Sequence, residues 1–139
     1  MPVKFSIQTD GKGLHEITRE VAVAVQSLTR GDGLCTIFVQ HTSASLTIQE
    51  NADPTARADL ESWLDRIAPE DDPAYTHTSE GPDDMPSHIR SMVTDVSVSI
   101  PVCAGTLMLG TWQGVYLCEH RRASHSRQLI VVVTPEIPS

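Results

Sequence analysis

The chain predicts a single α+β domain with an antiparallel, β-sandwich-like core and two or three helices. Three observations predict it. Apolar residues alternate at period two near both ends of the chain, recur at helical spacing in two central segments, and are joined by connections too short for parallel crossovers. The length of 139 residues suits one domain, taken as residues 1–139, and 40% hydrophobic residues suffice for one core. With aromatics at only 4%, that core is aliphatic.

Val3, Phe5 and Ile7 alternate, so Val3–Thr9 reads as a strand, and Asp10–Gly13 as a turn. Ile17, Val21, Val25 and Leu28 mark an amphipathic helix over Glu16–Thr29, stopped by Arg30-Gly31-Asp32-Gly33. Leu34–Gln40 is an apolar, β-rich run. Asp53 is a good N-cap and Pro54 suits the first helical position. Ala56, Leu60, Trp63, Leu64 and Ile67 then form one face, and Pro69 ends the helix. Residues 69–86 read as an acidic, proline-rich loop, and a short helix after Pro86 turns Ile89, Met92 and Val93 inward. The last third reads as strands, alternating through Val96–Val102, Leu107–Leu109 and Val115–Leu117 and ending in the apolar run Leu129–Val133. Pro101 removes a ladder donor, which puts its strand at an edge or ends it there. Cys35, Cys103 and Cys118 lack any paired spacing and read as buried small hydrophobes, and Trp112 reads as core.

Eighteen acids against ten Lys and Arg give −8, a poor balance for nucleic acid or an anionic membrane. The charge is uneven. Glu50–Asp84 holds eleven acids and two bases, whereas Arg121, Arg122 and Arg127 share a short stretch with His120 and His125. No run approaches a membrane span, and the opening MPVKFSIQTDGKG lacks an apolar signal core. The expected compartment is the cytoplasm.

Three polar clusters carry the candidate chemistry. His41-Thr42-Ser43-Ala44-Ser45 follows an apolar strand and precedes Glu50-Asn51-Ala52-Asp53; a polar strand with a helix cap explains it equally well. His77, Glu80, Asp83, Asp84 and His88 place two imidazoles among carboxylates, a ligand set for a divalent cation, although the spacing matches no standard zinc motif. Gly110-Thr111-Trp112-Gln113-Gly114 leads to Glu119-His120-Arg121-Arg122 and His125-Ser126-Arg127. There Glu119 is a candidate base or ligand and Arg127 a candidate phosphate clamp. Phosphate-binding loops, dinucleotide fingerprints and serine-hydrolase elbows are absent from the sequence.

HTSASLTIQENADP (41–54), Tyr75-x-His77-x-x-Glu80 running to Asp84 and Ser87-His88-Ile89-Arg90, PVCAGTLMLGTWQGVYLCEH (101–120) and the Arg127 strand together resemble the YjbQ-like family of secondary thiamine-phosphate synthases. The resemblance implies a homotrimer with a polar pocket at the subunit boundary. Carried onto this chain, it implies His41, His77 and His88 as metal ligands. It implies Glu50, Asp84, Glu119 and Arg127 as catalytic groups, and Thr42, Ser43, Asn51, Gln113 and Arg127 as substrate contacts. The chain departs from the family pattern at Asp84-Met85-Pro86 and at His120–Ser124. The implied reaction joins a pyrimidine methyl diphosphate to a thiazole phosphate and releases pyrophosphate. A divalent cation, magnesium or zinc, would assist it, and the partner is an anionic, phosphorylated small molecule. Imidazole ligands lean toward zinc, nickel or iron, which leaves room for another native substrate. A non-catalytic metabolite- or metal-binding trimer and a metal-dependent hydrolase use the same residues.

Overall fold

The computed structural model describes residues 1–137. Eight strands and three helices follow in the order β1 (Val3–Thr9), β2 (Gly13–Glu16), α1 (Thr18–Leu28), β3 (Gly33–Val39), β4 (Ala44–Glu50), α2 (Pro54–Ile67), α3 (Asp84–Met92), β5 (Ser97–Cys103), β6 (Thr106–Leu107), β7 (Gln113–Glu119) and β8 (His125–Pro135). All pairings are antiparallel. One sheet runs β1-β8-β3-β5-β6 and the other β2-β7-β4. A bridge between Leu46 and Asp95 ties the two together.

The core lies between the sheets. It is built from Cys35, Ile37 and Val39 of β3, Leu46 of β4, Ile100 and Val102 of β5, Val115 and Leu117 of β7, and Leu129 and Val131 of β8. Val21, Ala24 and Val25 of α1 join the same cluster. The opposite face of the smaller sheet carries Leu14, Tyr116 and Cys118, with Leu60 of α2 packed against them. Strand β7 is therefore buried on both faces from Gly114 to Glu119. Asp53 caps α2 as expected, accepting from the Thr55 N–H at 2.9 Å. Pro101 pairs with Leu34 on one side, while the two-residue β6 reaches only Val102 and Cys103 on the other, so β5 is nearly an edge. Its hairpin turns on Ala104 and Gly105 at φ +49° and +77°, the geometry of a two-residue loop with both centres left-handed.

Several expectations need correction. Strand β2 occupies the gap between the expected Asp10–Gly13 turn and the first helix, β4 runs from Ala44 to Glu50 where the sequence offers a polar strand or a cleft-facing segment, and α1 starts at Thr18. Helix α3 begins at Asp84, before Pro86, because the first helical turn asks for no N–H there. Met92 and Val93 face outward, and Trp112 is 64% exposed because it sits on the β6–β7 loop rather than on a strand. Trp63 is half-exposed, so α2 buries only Leu64 completely. Cys103 is exposed on the outer face of β5, whereas Cys35 and Cys118 are buried as expected. Burial pushes those two thiols up to about 11 and about 12, which leaves them unreactive. No helix among the described residues is long and apolar enough to cross a membrane.

Candidate functional site

The inward-facing rows of four strands reach the same end of the sandwich, and each ends in a polar residue. Cys35, Ile37 and Val39 lead to His41; Val115 and Leu117 lead to Glu119; Val131 and Leu129 lead to Arg127; Phe5 and Ile7 lead to Thr9. Strand parity alone brings these groups together. Arg127 grips Glu119 through two hydrogen bonds, Nε to Oε1 at 2.8 Å and Nη2 to Oε2 at 2.5 Å. Thr9 Oγ1 donates to Oε1 at 2.6 Å, and the Arg121 backbone N–H donates to Oε2 at 3.1 Å. Burial pushes the Glu119 carboxyl up, but the bonds from Arg127 and Thr9 hold it below the ordinary glutamate value.

That arrangement revises two expected roles. Glu119 has four donors on its two oxygens, so it orients Arg127 rather than accepting a proton. Arg127 is 3% exposed and neutralised by Glu119, and its Nη2 also donates to the Ser43 carbonyl at 3.2 Å. It is a buried strut, not an open phosphate clamp. His41 completes the cluster. Its Nε2 accepts the Gln128 N–H at 2.8 Å, and its Nδ1 lies 3.3 Å from Arg127 Nη1, so both ring nitrogens face donors. Burial, then the adjacent Arg127, lowers its pKa. With Nε2 occupied and Nδ1 facing a guanidinium, His41 does not join His77 and His88 as a metal ligand.

The second cluster is carried by the 69–83 loop and α3. Asp84 opens α3, and His88 stands four residues later on the same helix face. His77, from the loop, reaches in from outside. Its Nε2 lies 2.7 Å from Asp84 Oδ2, and that of His88 lies 3.1 Å from the same oxygen. The two rings meet edge to face at 5.5 Å. One ligand atom each from His77, Asp84 and His88 lies within 4.8 Å of the others. Two imidazole nitrogens and one carboxylate oxygen are a donor set that fits zinc-class cations. The Asp84 hydrogen bond raises the His77 pKa. Burial raises that of Asp84 itself, but its hydrogen bonds, led by His77, bring it below the ordinary value. Asp83 supports the loop, accepting from the Arg122 N–H at 2.9 Å.

A buried polar chain, not visible as a motif, docks α3 on the sheets. His120 Nε2 lies 2.7 Å from Ser45 Oγ, Ser45 Oγ lies 2.5 Å from Thr94 Oγ1, and Thr94 donates to the Arg90 carbonyl at 2.8 Å. His120 follows the parity of Cys118, which faces away from the main core, and the sequence signal for it is only its place one residue past Glu119. Arg90 also holds α2, through Asp65 at 2.6 Å. A cavity of about 130 Å³ lies beside these groups, lined by Lys12, Glu61, Asp65, Arg90, Glu119 and His120 among others.

The remaining candidates lie elsewhere. Glu50 and Gln113 pair at the opposite end of β7 from Glu119, six residues or about 20 Å along a strand. Asn51 sits beside them, with its amide donating to Glu16 at 3.0 Å, and Gln113 accepts the Gly110 N–H at 2.8 Å. Thr42 and Ser43 do neighbour the first cluster, but their carbonyls make the contacts: Thr42 O accepts from Ser91 at 2.9 Å, and Ser43 O accepts from Arg127. Within one chain, then, the site divides into a buried Glu119–Arg127–His41 plug and a more open His77–Asp84–His88 group, with Glu50, Asn51 and Gln113 remote from both.

A family model described as "UPF0047 protein YjbQ-like" matches residues 3–136. A UPF0047 protein of Synechocystis is 51% identical over 131 residues, covering 94% of this chain and 89% of the relative. The YjbQ protein of Salmonella typhimurium is 47% identical, covering 90% and 91%. Among solved structures, a YjbQ/UPF0047 family protein of Clostridium acetobutylicum superposes with a TM-score of 0.86 at 32% identity, covering 95% of this chain and 99% of the other. The TT1486 protein of Thermus thermophilus gives a TM-score of 0.85 at 35% identity, covering 95% and 99%. On its sequence match and its architecture alike, the chain belongs to the YjbQ-like UPF0047 family.

Proposed function

We propose that the protein is a homotrimeric, divalent-cation-assisted enzyme acting on a phosphorylated small molecule, with thiamine-phosphate synthesis the reaction within its reach. The convergence of His77, Asp84 and His88 carries this reading. A bound cation would supply positive charge where a departing diphosphate develops negative charge. His77 and His88 would hold it through Nε2, and Asp84 through Oδ2. The buried Glu119–Arg127 pair fixes the strand ends beside that group, and Arg122, about half exposed and paired with Glu70 at 3.2 Å, is the more open cation on the same turn. In the proposed transfer, the thiazole nitrogen forms a bond to the pyrimidine methylene carbon. The carbon–oxygen bond to diphosphate breaks, and pyrophosphate leaves with the electron pair.

The trimer is supported by an uncovered apolar face. Leu34 and Phe38 of β3 share the outer side of the larger sheet with Pro101 of β5 and Ile130 and Val132 of β8. Both β3 residues are more than two-fifths exposed, and a second copy is what would cover them. A neighbouring copy would also be the only source of Glu50, Asn51 and Gln113 for this cluster, given their distance within the chain.

The test is pyrophosphate release from the two substrates with added zinc or magnesium, alongside equilibrium dialysis of the cation. Wild type should bind cation and release pyrophosphate, and His88→Ala and Asp84→Asn should do neither. Cation binding without turnover supports the second reading, a non-catalytic binding protein. No binding in wild type refutes both.

A further inference from the structure

Arg121 lies just beyond β7 and links the two clusters. Its backbone N–H holds Glu119, as described above. Its guanidinium reaches the other way, with Nη1 2.6 Å from Asp84 Oδ1 and Nη2 3.1 Å from the Glu80 carbonyl and 3.2 Å from Asp83 Oδ1. Its Nε is buried without a partner, so the binding is done by the two ends of the fork. The two oxygens of Asp84 therefore have separate duties. Oδ1 belongs to Arg121, and Oδ2 faces His77 and His88.

We propose that Arg121 is a positioning residue that makes Asp84 a one-oxygen ligand and thereby sets which cation the His77–Asp84–His88 group prefers. The inference rests on the metal-site reading above. A carboxylate held by one oxygen at 2.6 Å cannot swing to chelate with both. Magnesium and calcium need many oxygen ligands, whereas zinc accepts two imidazoles and a single carboxylate oxygen. The planar fork matters as much as its charge, since only a guanidinium can span Asp84, Asp83 and the Glu80 carbonyl at once. Lysine would keep the charge but hold one of the three.

The experiment uses the full chain, stripped of metal, as wild type, Arg121→Ala and Arg121→Lys. Zinc and magnesium are titrated separately against a chromophoric chelator, and circular dichroism reports folding. Arg121→Ala should weaken zinc about 10- to 100-fold, the usual loss when the partner of a ligating group is removed. It should also narrow the zinc-to-magnesium preference, and weaken the visible absorption of the cobalt form as Asp84 becomes free to donate both oxygens. Arg121→Lys should fall between the two.

Zinc affinity within about twofold of wild type in Arg121→Ala overturns the proposal, against the loss expected of a lost ligand partner. So does an equal loss for both cations with the preference unchanged, which is what a purely structural residue would give. Should Arg121→Ala not fold, Arg121→Lys decides: a narrowed preference supports the proposal and a wild-type preference overturns it. Absence of zinc binding in wild type removes the metal-site reading itself, and this inference with it, a result distinct from the others.

Discussion

Acidification should weaken the fold through His120. Burial, reinforced by nearby Arg90, lowers this imidazole from 6.5 to about 3. The folded chain thus keeps it neutral, while the unfolded chain protonates it below 6.5. A folded pKa below the unfolded one means that acid favours the unfolded state, so the stability is present at neutral pH and is lost as pH falls from 6.5 toward 3. Between pH 7.5 and pH 5 the loss is about 2 kcal/mol. That figure is insensitive to the folded value, because any folded pKa of about 4 or less gives nearly the same result at pH 5. Carboxylates contribute little in this window, since their ordinary values lie near 4. His41 is lowered and acts in the same direction, whereas His77 is raised and acts oppositely. Both remain in His120→Gln, which removes only the ring in question. Urea unfolding of wild type and His120→Gln at the two pH values isolates the effect. Wild type should lose about 2 kcal/mol more than the variant, or roughly 1 M in midpoint. Parallel losses in the two proteins would refute the buried, neutral assignment of His120.

Other expectations follow from the same structure. Glu119→Gln leaves Arg127 buried without its anion and should cost about 3–5 kcal/mol in urea unfolding, whereas replacing both by apolar residues should cost less. A β-carbon at Gly33 would stand 2.4 Å from the Thr134 carbonyl oxygen, in the closely paired β8 backbone. Gly33→Ala should therefore lower stability by about 1–3 kcal/mol, read from a thermal melt. Light scattering should give wild type three times the 15.2 kDa chain mass, and Phe38→Asp should return it to one chain.

The strands that line the core were the most legible part of the sequence. Val3–Thr9 announces itself because one face is buried and the other wet, and Leu129–Val133 because it is a short unbroken run of β-forming apolar residues. Strand β4 also alternates, with Ala44, Leu46 and Ile48, but its intervening Ser45, Thr47 and Gln49 and the neighbouring helix cap hid it. In β7 both faces are covered, so Tyr116 and Cys118 are apolar as well and the row of Val115 and Leu117 that Glu119 continues is blurred. The 77–88 group was readable from composition, since two histidines among acids have no packing purpose. Its separation from His41 was not, because nothing local tells that Gln128 supplies a donor 87 positions away. The basic stretch holding Arg121 is visible in the sequence but its partner is not, for a related reason: a basic residue in a charged turn gives no sign of which carboxylate it meets.

The rows of side chains that form the hydrophobic interior continue without a break into the polar plug. Amides around Glu119 and Leu129 should consequently exchange their hydrogens only when the whole molecule unfolds, and the plug has no private hinge on which to adjust to a ligand. Diversification of what such a protein recognises must then fall on the exposed positions around the second cluster, in the 70–76 and 122–124 stretches, which lie outside the strands that hold the molecule together.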